Sequence, residues 1–345
     1  MYYVENYPEI KNNYYLGARN VGASRRLRGD IGIIVCFMRR KPTDFPESTR
    51  AQFFSELNKA CDWLKGKAKG FGTALDFCSY YFDIDIPENA NPHQGYELIR
   101  KFFSAENQNI DYLQSYYEKR LNIDEAPFIL VFDQNDRSFA QKQSTPTGYT
   151  NEYSVVFKDY GSFSWSTIAH ELLHQFGALD YYYPKEVTEH AKFYFKDSIM
   201  GIGRNDVLDD LTAYIVGMKD TISASTYGFL KSTMWMTGAL REKAIAATWK
   251  GDDGPIMKND TSSRTQTRAT QLNFTSLRAK FFGKVLAIPV SVGQTVKATD
   301  IVLLLTGTYG VVPIQASVPG RVDKIHVKCG DVVKDGTLLA VIAKL

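Results

Sequence analysis

One short segment, HELLHQFGALD from His170 to Asp180, constrains the fold of this chain more than any other. His170 and His174 are four residues apart, so on a helix their side chains share one face, with Cβ atoms about 5–6 Å apart. Gly177 can adopt the left-handed backbone conformation that ends a helix in a tight turn. The segment therefore predicts a helix followed by a reversal that brings Asp180 back towards both imidazoles.

The residues before this segment support the same helix. Between Ser164 and Gly177, the side chains of Ile168, Leu172 and Phe176 fall on one face at helical spacing. Serines and a threonine at the start of the segment are available to cap it. We expect an amphipathic helix whose apolar face packs against a core.

The pattern HExxHxxGxxD contains the ligands of a catalytic zinc site. Two imidazoles one turn apart can bind one ion, and Asp180 supplies a third protein ligand while leaving a position for water. Glu171 lies off the ligand face but close to that open position, so its predicted role is general base. The sequence thus predicts a Zn²⁺ site with ligands His170, His174 and Asp180.

Two alternatives remain at this stage. A solvated helix with two surface histidines is the simplest, but it does not explain why they lie beside an apolar face and before a glycine turn. His190 is a substitute third ligand should Asp180 face solvent, although its separation from His174 does not match the pattern.

Apolar runs and helical periodicity predict a mixed fold for the first part of the chain. Strands are expected at residues 31–38, 74–82, 128–133 and 153–158, and helices at 48–66, 95–121, 164–177, 206–216 and 239–249. The turn-rich stretch that follows lacks a sustained apolar period, and it predicts a domain boundary. We expect an α+β domain over residues 1–250 and a connection over 251–276.

The last part of the chain, residues 277–345, contains an internal repeat at an offset of 37 residues, and apolar runs at 301–305 and 338–342 end its two copies. Two copies of one strand-turn-strand unit predict a small quasi-twofold all-β domain. Glycines, apolar residues and a lysine coincide in the two copies: Gly283, Val285, Ile288, Val290, Gly293, Val296 and Lys297 fall on Gly320, Val322, Ile325, Val327, Gly330, Val333 and Lys334.

Composition excludes several classes of partner. A formal charge of +3 creates no broad field that would attract nucleic acid or an anionic membrane. The four cysteines are far apart and form no CxxC pair, which favours reduced thiols. No signal peptide and no apolar run of about 20 residues is present, so the chain is expected to be cytoplasmic, with export by another route left open.

HExxHxxGxxD followed by Ser198-Ile199-Met200 resembles the metzincin group of zinc peptidases, over roughly residues 25–220. The aspartate in the third-ligand place is similar to the snapalysin variant of the pattern. The resemblance implies a zincin-like catalytic domain with Met200 in a methionine turn beneath the metal. It departs from most metzincins in having Asp180 where they have histidine, and it lacks the tyrosine that follows the methionine turn in some members.

The same resemblance suggests two further roles. The run YSVVFK at 153–158 resembles the edge strand on which such enzymes align an extended substrate, although an ordinary sheet strand fits equally. One tyrosine hydroxyl near the ligands could stabilise the oxyanion of the tetrahedral intermediate, and packing is the competing role. The candidates are Tyr181, Tyr182, Tyr183 and Tyr194.

The repeat itself resembles a biotinyl or lipoyl carrier domain. That family presents a modifiable lysine on the hairpin that joins the two halves. Here the joining segment is TGTYGVVPIQASVP, and no lysine occurs between Lys297 and Lys324, so the site falls near Thr308 or Tyr309. We expect a barrel-sandwich fold without carrier chemistry.

The sequence therefore favours a zinc-dependent endopeptidase acting on a peptide or protein. The alternative is a catalytically silent zincin-like binding protein whose C-terminal domain recruits a protein partner. A swinging-arm carrier is a third hypothesis, which the missing lysine opposes.

Overall fold

The computed structural model describes residues 1–103, 105, 108–145, 148–182, 185–201, 206–234, 274–308 and 310–344. The chain divides into two compact units, one containing the described residues up to 234 and the other containing those from 274 to 308 and from 312 onwards. The predicted helix at 239–249 and the boundary at residue 250 lie outside the described residues. The first strand of the second unit begins at Phe274, inside the predicted connection.

The first unit contains a sheet of five strands in the order β2-β1-β3-β5-β4. β1 runs parallel to β2 and β3, β5 runs parallel to β3, and β4 is antiparallel to β5. The strands are β1 (Gly29–Arg39), β2 (Leu75–Asp85), β3 (Phe128–Asn135), β4 (Phe139–Thr145) and β5 (Gly148–Lys158).

Seven α-helices are described in the first unit. No helix in the described ranges combines the length and apolar character that a bilayer span requires. The helices are α1 (Glu47–Gly70), α2 (Gly95–Phe102), α3 (Ile110–Leu121), α4 (Trp165–Gln175), α5 (Lys185–Tyr194), α6 (Asp210–Ile215) and α7 (Ala224–Ser232), and short 3₁₀ turns occupy Val4–Asn6, Tyr14–Ala18 and Pro92–Gln94.

Helices cover both faces of the sheet. Alternate residues of β1, such as Ile33 and Val35, belong to one fully buried cluster with Leu57 of α1 and Leu172 of α4. On the other face, the ring of Tyr117 in α3 lies 6.0 Å from the ring of Phe128 in β3. Burial on both faces explains why the central strands have nearly continuous apolar sequences.

Three sequence predictions need correction. The helix expected at 95–121 is two helices, because the chain leaves the helix at Phe103 and Asn109 caps a new one by accepting a hydrogen bond from the Tyr112 backbone N–H. The strand containing YSVVFK is an interior strand, and β4 forms the edge beside it. The helices α5 and α7 and the strand β4, each of ten residues or fewer, were not predicted.

The second unit is all-β, so the prediction of a mixed α/β unit followed by a β domain is confirmed. Seven strands of the second unit form two sheets. One has the order β6-β13-β11-β8, and in the other β7 pairs with β12 and β9. The strands are β6 (Phe274–Arg278), β7 (Gly283–Ala287), β8 (Thr295–Val296), β9 (Ile301–Thr306), β10 (Val311–Gln315), β11 (Gly320–Ile325), β12 (Val332–Val333) and β13 (Leu338–Lys344).

Backbone hydrogen bonds confirm the quasi-twofold repeat. The Val285 N–H donates to the Asp331 carbonyl at 2.8 Å, and the equivalent Val322 N–H donates to the Gln294 carbonyl at 2.9 Å. Gly283 and Gly320 occupy equivalent places where a Cβ atom would collide with a backbone carbonyl of the neighbouring strand. Each half therefore completes the other, so that neither half can pack alone.

We expect Leu57→Ala to lower the free energy of unfolding of the first unit by about 2–5 kcal/mol, because it leaves a cavity between α1 and the sheet. Leu57 is 1% exposed, whereas the neighbouring Asn58 faces solvent. Urea unfolding followed by tryptophan fluorescence measures the change. Asn58→Ala is the matched control, and an equal loss in both variants would contradict the packing of α1.

Candidate metal centre

Three polar contacts fix helix α4 to its surroundings. The Ser154 hydroxyl on β5 donates to the Glu171 carbonyl at 2.8 Å, and the Gln175 amide donates to the Phe128 carbonyl on β3 at 3.0 Å. At the other end, the Trp165 N–H donates to the Glu56 carboxylate of α1 at 2.9 Å. Glu56 thus replaces the serine cap that the sequence predicted, and α4 is anchored at both ends.

The structure brings the three predicted ligands together at the end of α4. The Nε2 atoms of His170 and His174 are 3.1 Å apart, and Asp180 Oδ1 lies 3.2 Å from the first and 3.3 Å from the second. Gly177 has a φ of +95° and makes the reversal, and an added Cβ there would collide with the Ala18 carbonyl. The turn that the glycine predicted is confirmed.

Backbone carbonyls determine where the imidazole lone pairs point. His170 Nδ1 is 2.8 Å from the Ile199 carbonyl oxygen, and His174 Nδ1 is 2.8 Å from the Ala178 carbonyl oxygen. A carbonyl can only accept, so each Nδ1 carries the hydrogen and each Nε2 of the neutral ring presents a lone pair. Carbonyl-fixed histidines of this kind are typical of metal ligands.

Two Nε2 lone pairs and the buried Oδ1 of Asp180 therefore meet at one place, and they repel one another unless a cation lies between them. Asp180 is buried, and its Oδ1 faces both Nε2 atoms at 3.2 and 3.3 Å. Tetrahedral zinc with bonds of about 2.0–2.1 Å holds its ligand atoms about 3.3–3.4 Å apart, close to the separations found here. The residues present fit a zinc ion.

The electrostatics of the three groups point the same way. Burial by itself lowers the pKa of His170, but the hydrogen bond and charge of Asp180 outweigh burial and raise it to about 9. Burial favours the neutral form of Asp180, yet the two histidines reverse this and lower its pKa below the usual range. The cluster is therefore arranged to hold positive charge.

Glu171 is buried beside the ligands, but its carboxylate is not part of the close contact between the two Nε2 atoms and Asp180 Oδ1. A carboxylate oxygen of Glu171 lies within 4.8 Å of a ring nitrogen of each histidine, so it can reach a molecule placed next to them. Burial raises its pKa, against the opposing charges of His170 and His174. A carboxylate that holds protons more tightly than usual suits a general base.

Met200 lies in a turn that is hydrogen-bonded to the site. The turn contributes the Ile199 carbonyl that orients His170, and the Met200 carbonyl accepts a hydrogen bond from the Tyr181 N–H at 2.9 Å. The Met200 side chain is fully buried in the main core. The turn is thus hydrogen-bonded to His170 and to the residue after Asp180, while its identity as a metzincin methionine turn stays a prediction.

Sequence reasoning missed Asp209, a buried carboxylate that holds this turn. It accepts hydrogen bonds from the hydroxyls of Ser198, Tyr181 and Thr212 at 2.6 to 3.0 Å, and it caps α6 through the Thr212 N–H. The predicted helix at 206–216 placed Asp209 inside the helix, whereas α6 begins at Asp210 and Asp209 is its N-cap, a position that aspartate favours.

The tyrosine candidates separate by their contacts. The Tyr181 hydroxyl is committed to Asp209, which argues against a role at the oxyanion. Tyr194 packs on Phe229, with ring centroids 5.7 Å apart. The pKa of Tyr182 is raised, first by burial and then by the charge of Asp180 and a hydrogen bond to Asp180. Tyr182 therefore lies beside the ligands.

Two further candidates have a different status. Tyr183 lies outside the described residues. His190 is on α5, and the described side-chain contacts of the two histidine Nε2 atoms include Asp180 at 3.2 and 3.3 Å. Asp180 therefore stays the proposed third ligand.

Arg137 is a second residue that the sequence did not indicate. Its guanidinium Nη2 lies 3.4 Å from the Tyr182 hydroxyl, and its charge opposes the rise in the pKa of Glu171. It belongs to the short connection between β3 and β4. Nothing in the local sequence marks it, because only the fold brings this connection to the ligands.

Comparisons with known proteins match part of the chain, and the family match lies in the second unit. A family model described as Biotin-requiring enzyme matches residues 277–342. The chain is similar to the "Biotinylated protein TB7.3 homolog" of Mycobacterium leprae (strain TN), with 37% identity over 67 residues, 19% of this chain and 94% of that protein.

Two solved structures also match. One is a single-chain, multi-domain long-chain acyl-CoA carboxylase (19% identity, TM-score 0.21), and the other is the urea carboxylase of Kluyveromyces lactis (22% identity, TM-score 0.20). Each match covers 34% of this chain, and the chain spans 10% and 9% of the two structures. Residues 170–180 lie outside the segment that the family model matches.

We expect the full-length chain to bind one equivalent of zinc, and His174→Ala and Asp180→Ala each to weaken binding by at least about 10–100-fold, because each removes one of three converging ligand atoms. Competition with a chromogenic chelator measures the affinity. His190→Ala and His93→Ala are matched controls and should bind as the wild type does. An effect of His190→Ala equal to that of Asp180→Ala would contradict this ligand set.

Proposed function

We propose that this chain, which belongs through residues 277–342 to the family described as Biotin-requiring enzyme, is a zinc-dependent endopeptidase with a zincin-like first unit. One observation carries the proposal: three lone-pair donors, two of them oriented by backbone carbonyls, meet within 3.3 Å of one another beside a buried glutamate. That arrangement provides three protein ligands and a base next to the remaining position.

The reaction follows from the placement of the chain's own groups. A zinc ion bound there would polarise the scissile carbonyl and lower the pKa of a water molecule towards about 7. Glu171 accepts the proton that the attacking water loses, and it donates a proton to the leaving amine nitrogen when the C–N bond breaks. Its buried carboxylate is within reach of both histidine rings and therefore of the reacting atoms.

The edge strand β4 is the surface that suits an extended substrate. It lies at the end of the sheet order, next to β5, whose Ser154 anchors α4. An edge strand has backbone N–H and C=O groups on its outer side, which can pair with a peptide. This replaces YSVVFK, which is inside the sheet, as the proposed substrate strand.

The alternative is a silent zincin-like protein that binds a partner through its C-terminal unit. The buried glutamate favours an enzyme, because metal binding alone requires no carboxylate beside the ligands. The C-terminal unit has the carrier fold without the modifiable amine, and we assign it a recruiting role towards a protein partner. Carrier chemistry on this unit would require a lysine in the joining segment, where the sequence has Thr308 and Tyr309.

Glu171→Gln should lower peptide hydrolysis by about 10²–10⁴-fold while zinc affinity stays close to that of the wild type, because the amide cannot accept the water proton. Cleavage of a proteome-derived peptide library, read by mass spectrometry, measures the loss. Glu189→Gln, on the exposed face of α5, is the matched control. Cleavage that persists in Glu171→Gln would refute the mechanism, and no cleavage by the wild type would favour the binding protein.

The purified chain should carry neither biotin nor lipoate, because no lysine amine stands in the joining segment to form the amide. Intact-mass measurement after co-expression with biotin and lipoate ligases tests this expectation. A carrier protein expressed alongside is the control for ligase activity. An adduct on this chain would restore the carrier hypothesis.

A further inference from the structure

The connection between β3 and β4 places one cation at the rim of the candidate metal centre. Arg137 lies in this connection, directly before the edge strand. Both of its neighbours are bonded to β5: the Ser138 hydroxyl accepts a hydrogen bond from the Phe157 N–H at 3.0 Å, and the Asp136 N–H donates to the Lys158 carbonyl at 3.2 Å. The backbone of Arg137 is therefore held in place relative to the sheet.

The guanidinium of Arg137 is exposed and has much unused binding capacity. Its contact with the Tyr182 hydroxyl, at 3.4 Å, is at the long end of the hydrogen-bond range. Among the side chains that the structure describes, no ion pair of 4 Å or less involves it. A guanidinium has five N–H donors in a planar fork, so most of them remain available to a ligand.

The charge of the site is a second reason to expect an anionic ligand at Arg137. The formal charges of a zinc ion and of the carboxylates of Glu171 and Asp180 cancel, so Arg137 leaves the loaded site with an excess positive charge. A positively charged rim beside a buried site attracts anionic ligands. The forked geometry of the guanidinium matches a carboxylate in particular, because it can form two parallel hydrogen bonds.

We propose that Arg137 is a specificity-determining residue, which binds a carboxylate of the peptide substrate close to the scissile bond. The inference rests on the proposed peptidase function. The carboxylate belongs either to an aspartate or glutamate side chain, as in an endopeptidase, or to the C-terminus of the substrate, which would make the enzyme a carboxypeptidase, and both present the same two oxygens. Because Arg137 directly precedes β4, a peptide paired with that strand brings one of its residues to the guanidinium.

The test measures binding separately from hydrolysis. It uses the full-length Glu171→Gln chain loaded with zinc and fluorescein-labelled peptides, followed by fluorescence anisotropy. One arm compares peptides that differ by a single glutamate or glutamine, moved through successive positions. The other arm compares free and amidated C-termini. Arg137→Gln is made in the same background, with the exposed Arg321→Gln of the second unit as the matched control.

In at least one register, the carboxylate peptide should bind about tenfold more tightly than its neutral partner, as a bidentate charged pair predicts. Arg137→Gln should remove this difference and leave the affinity for neutral peptides unchanged, and Arg321→Gln should keep it. No preference in either arm, or a preference that survives Arg137→Gln, would overturn the inference.

Hydrolysis of the same peptides by the wild type separates the two proposals. Cleavage without a carboxylate preference contradicts the role of Arg137 and leaves the peptidase standing. A preference that depends on Arg137, without cleavage by the wild type, supports the role of Arg137 and contradicts the peptidase. If the chain neither binds nor cleaves any of the peptides, both proposals are contradicted.

Discussion

Two hydrogen bonds from imidazole Nδ1 atoms to backbone carbonyls determine the chemistry of the first unit. They fix the tautomers of His170 and His174, so both Nε2 lone pairs point towards the carboxylate of Asp180. The two carbonyls come from different places, one from the turn after α4 and one from the turn that contains Met200. The site therefore exists only when both turns are folded against the helix, which would couple the proposed metal binding to the fold.

The support behind those turns is polar and buried. Asp209 joins the turn at Ser198, the start of α6 and the hydroxyl of Tyr181 in one cluster of hydrogen bonds. A buried network in which each member has a partner is rigid, and rigidity in the surrounding residues keeps ligand atoms at coordination distance. On the other side of α4, Ser154 and Gln175 connect the helix to the sheet, so the ligands lie between two fixed layers.

The second unit resembles a carrier domain, but its joining segment contains no lysine. Its two halves exchange equivalent backbone hydrogen bonds and equivalent glycine contacts, which depend on backbone geometry and on small residues at fixed positions. The two equivalent hydrogen bonds lie outside the joining segment, whereas Gly283 contacts the carbonyl of Thr306, its first residue. The all-β unit of this chain is thus formed by these contacts, and no lysine occurs between Lys297 and Lys324.

The sequence by itself determined the parts that rest on local spacing. Residues four apart on a helix share a face, and a glycine after a helix permits a reversal, so the site of His170, His174 and Asp180 could be predicted, as could the repeat at a fixed offset. Tertiary structure alone decided the edge position of β4, the role of Asp209 and the approach of Arg137 to the ligands. These depend on which distant segments pack together, and contacts between distant segments leave no period in the sequence.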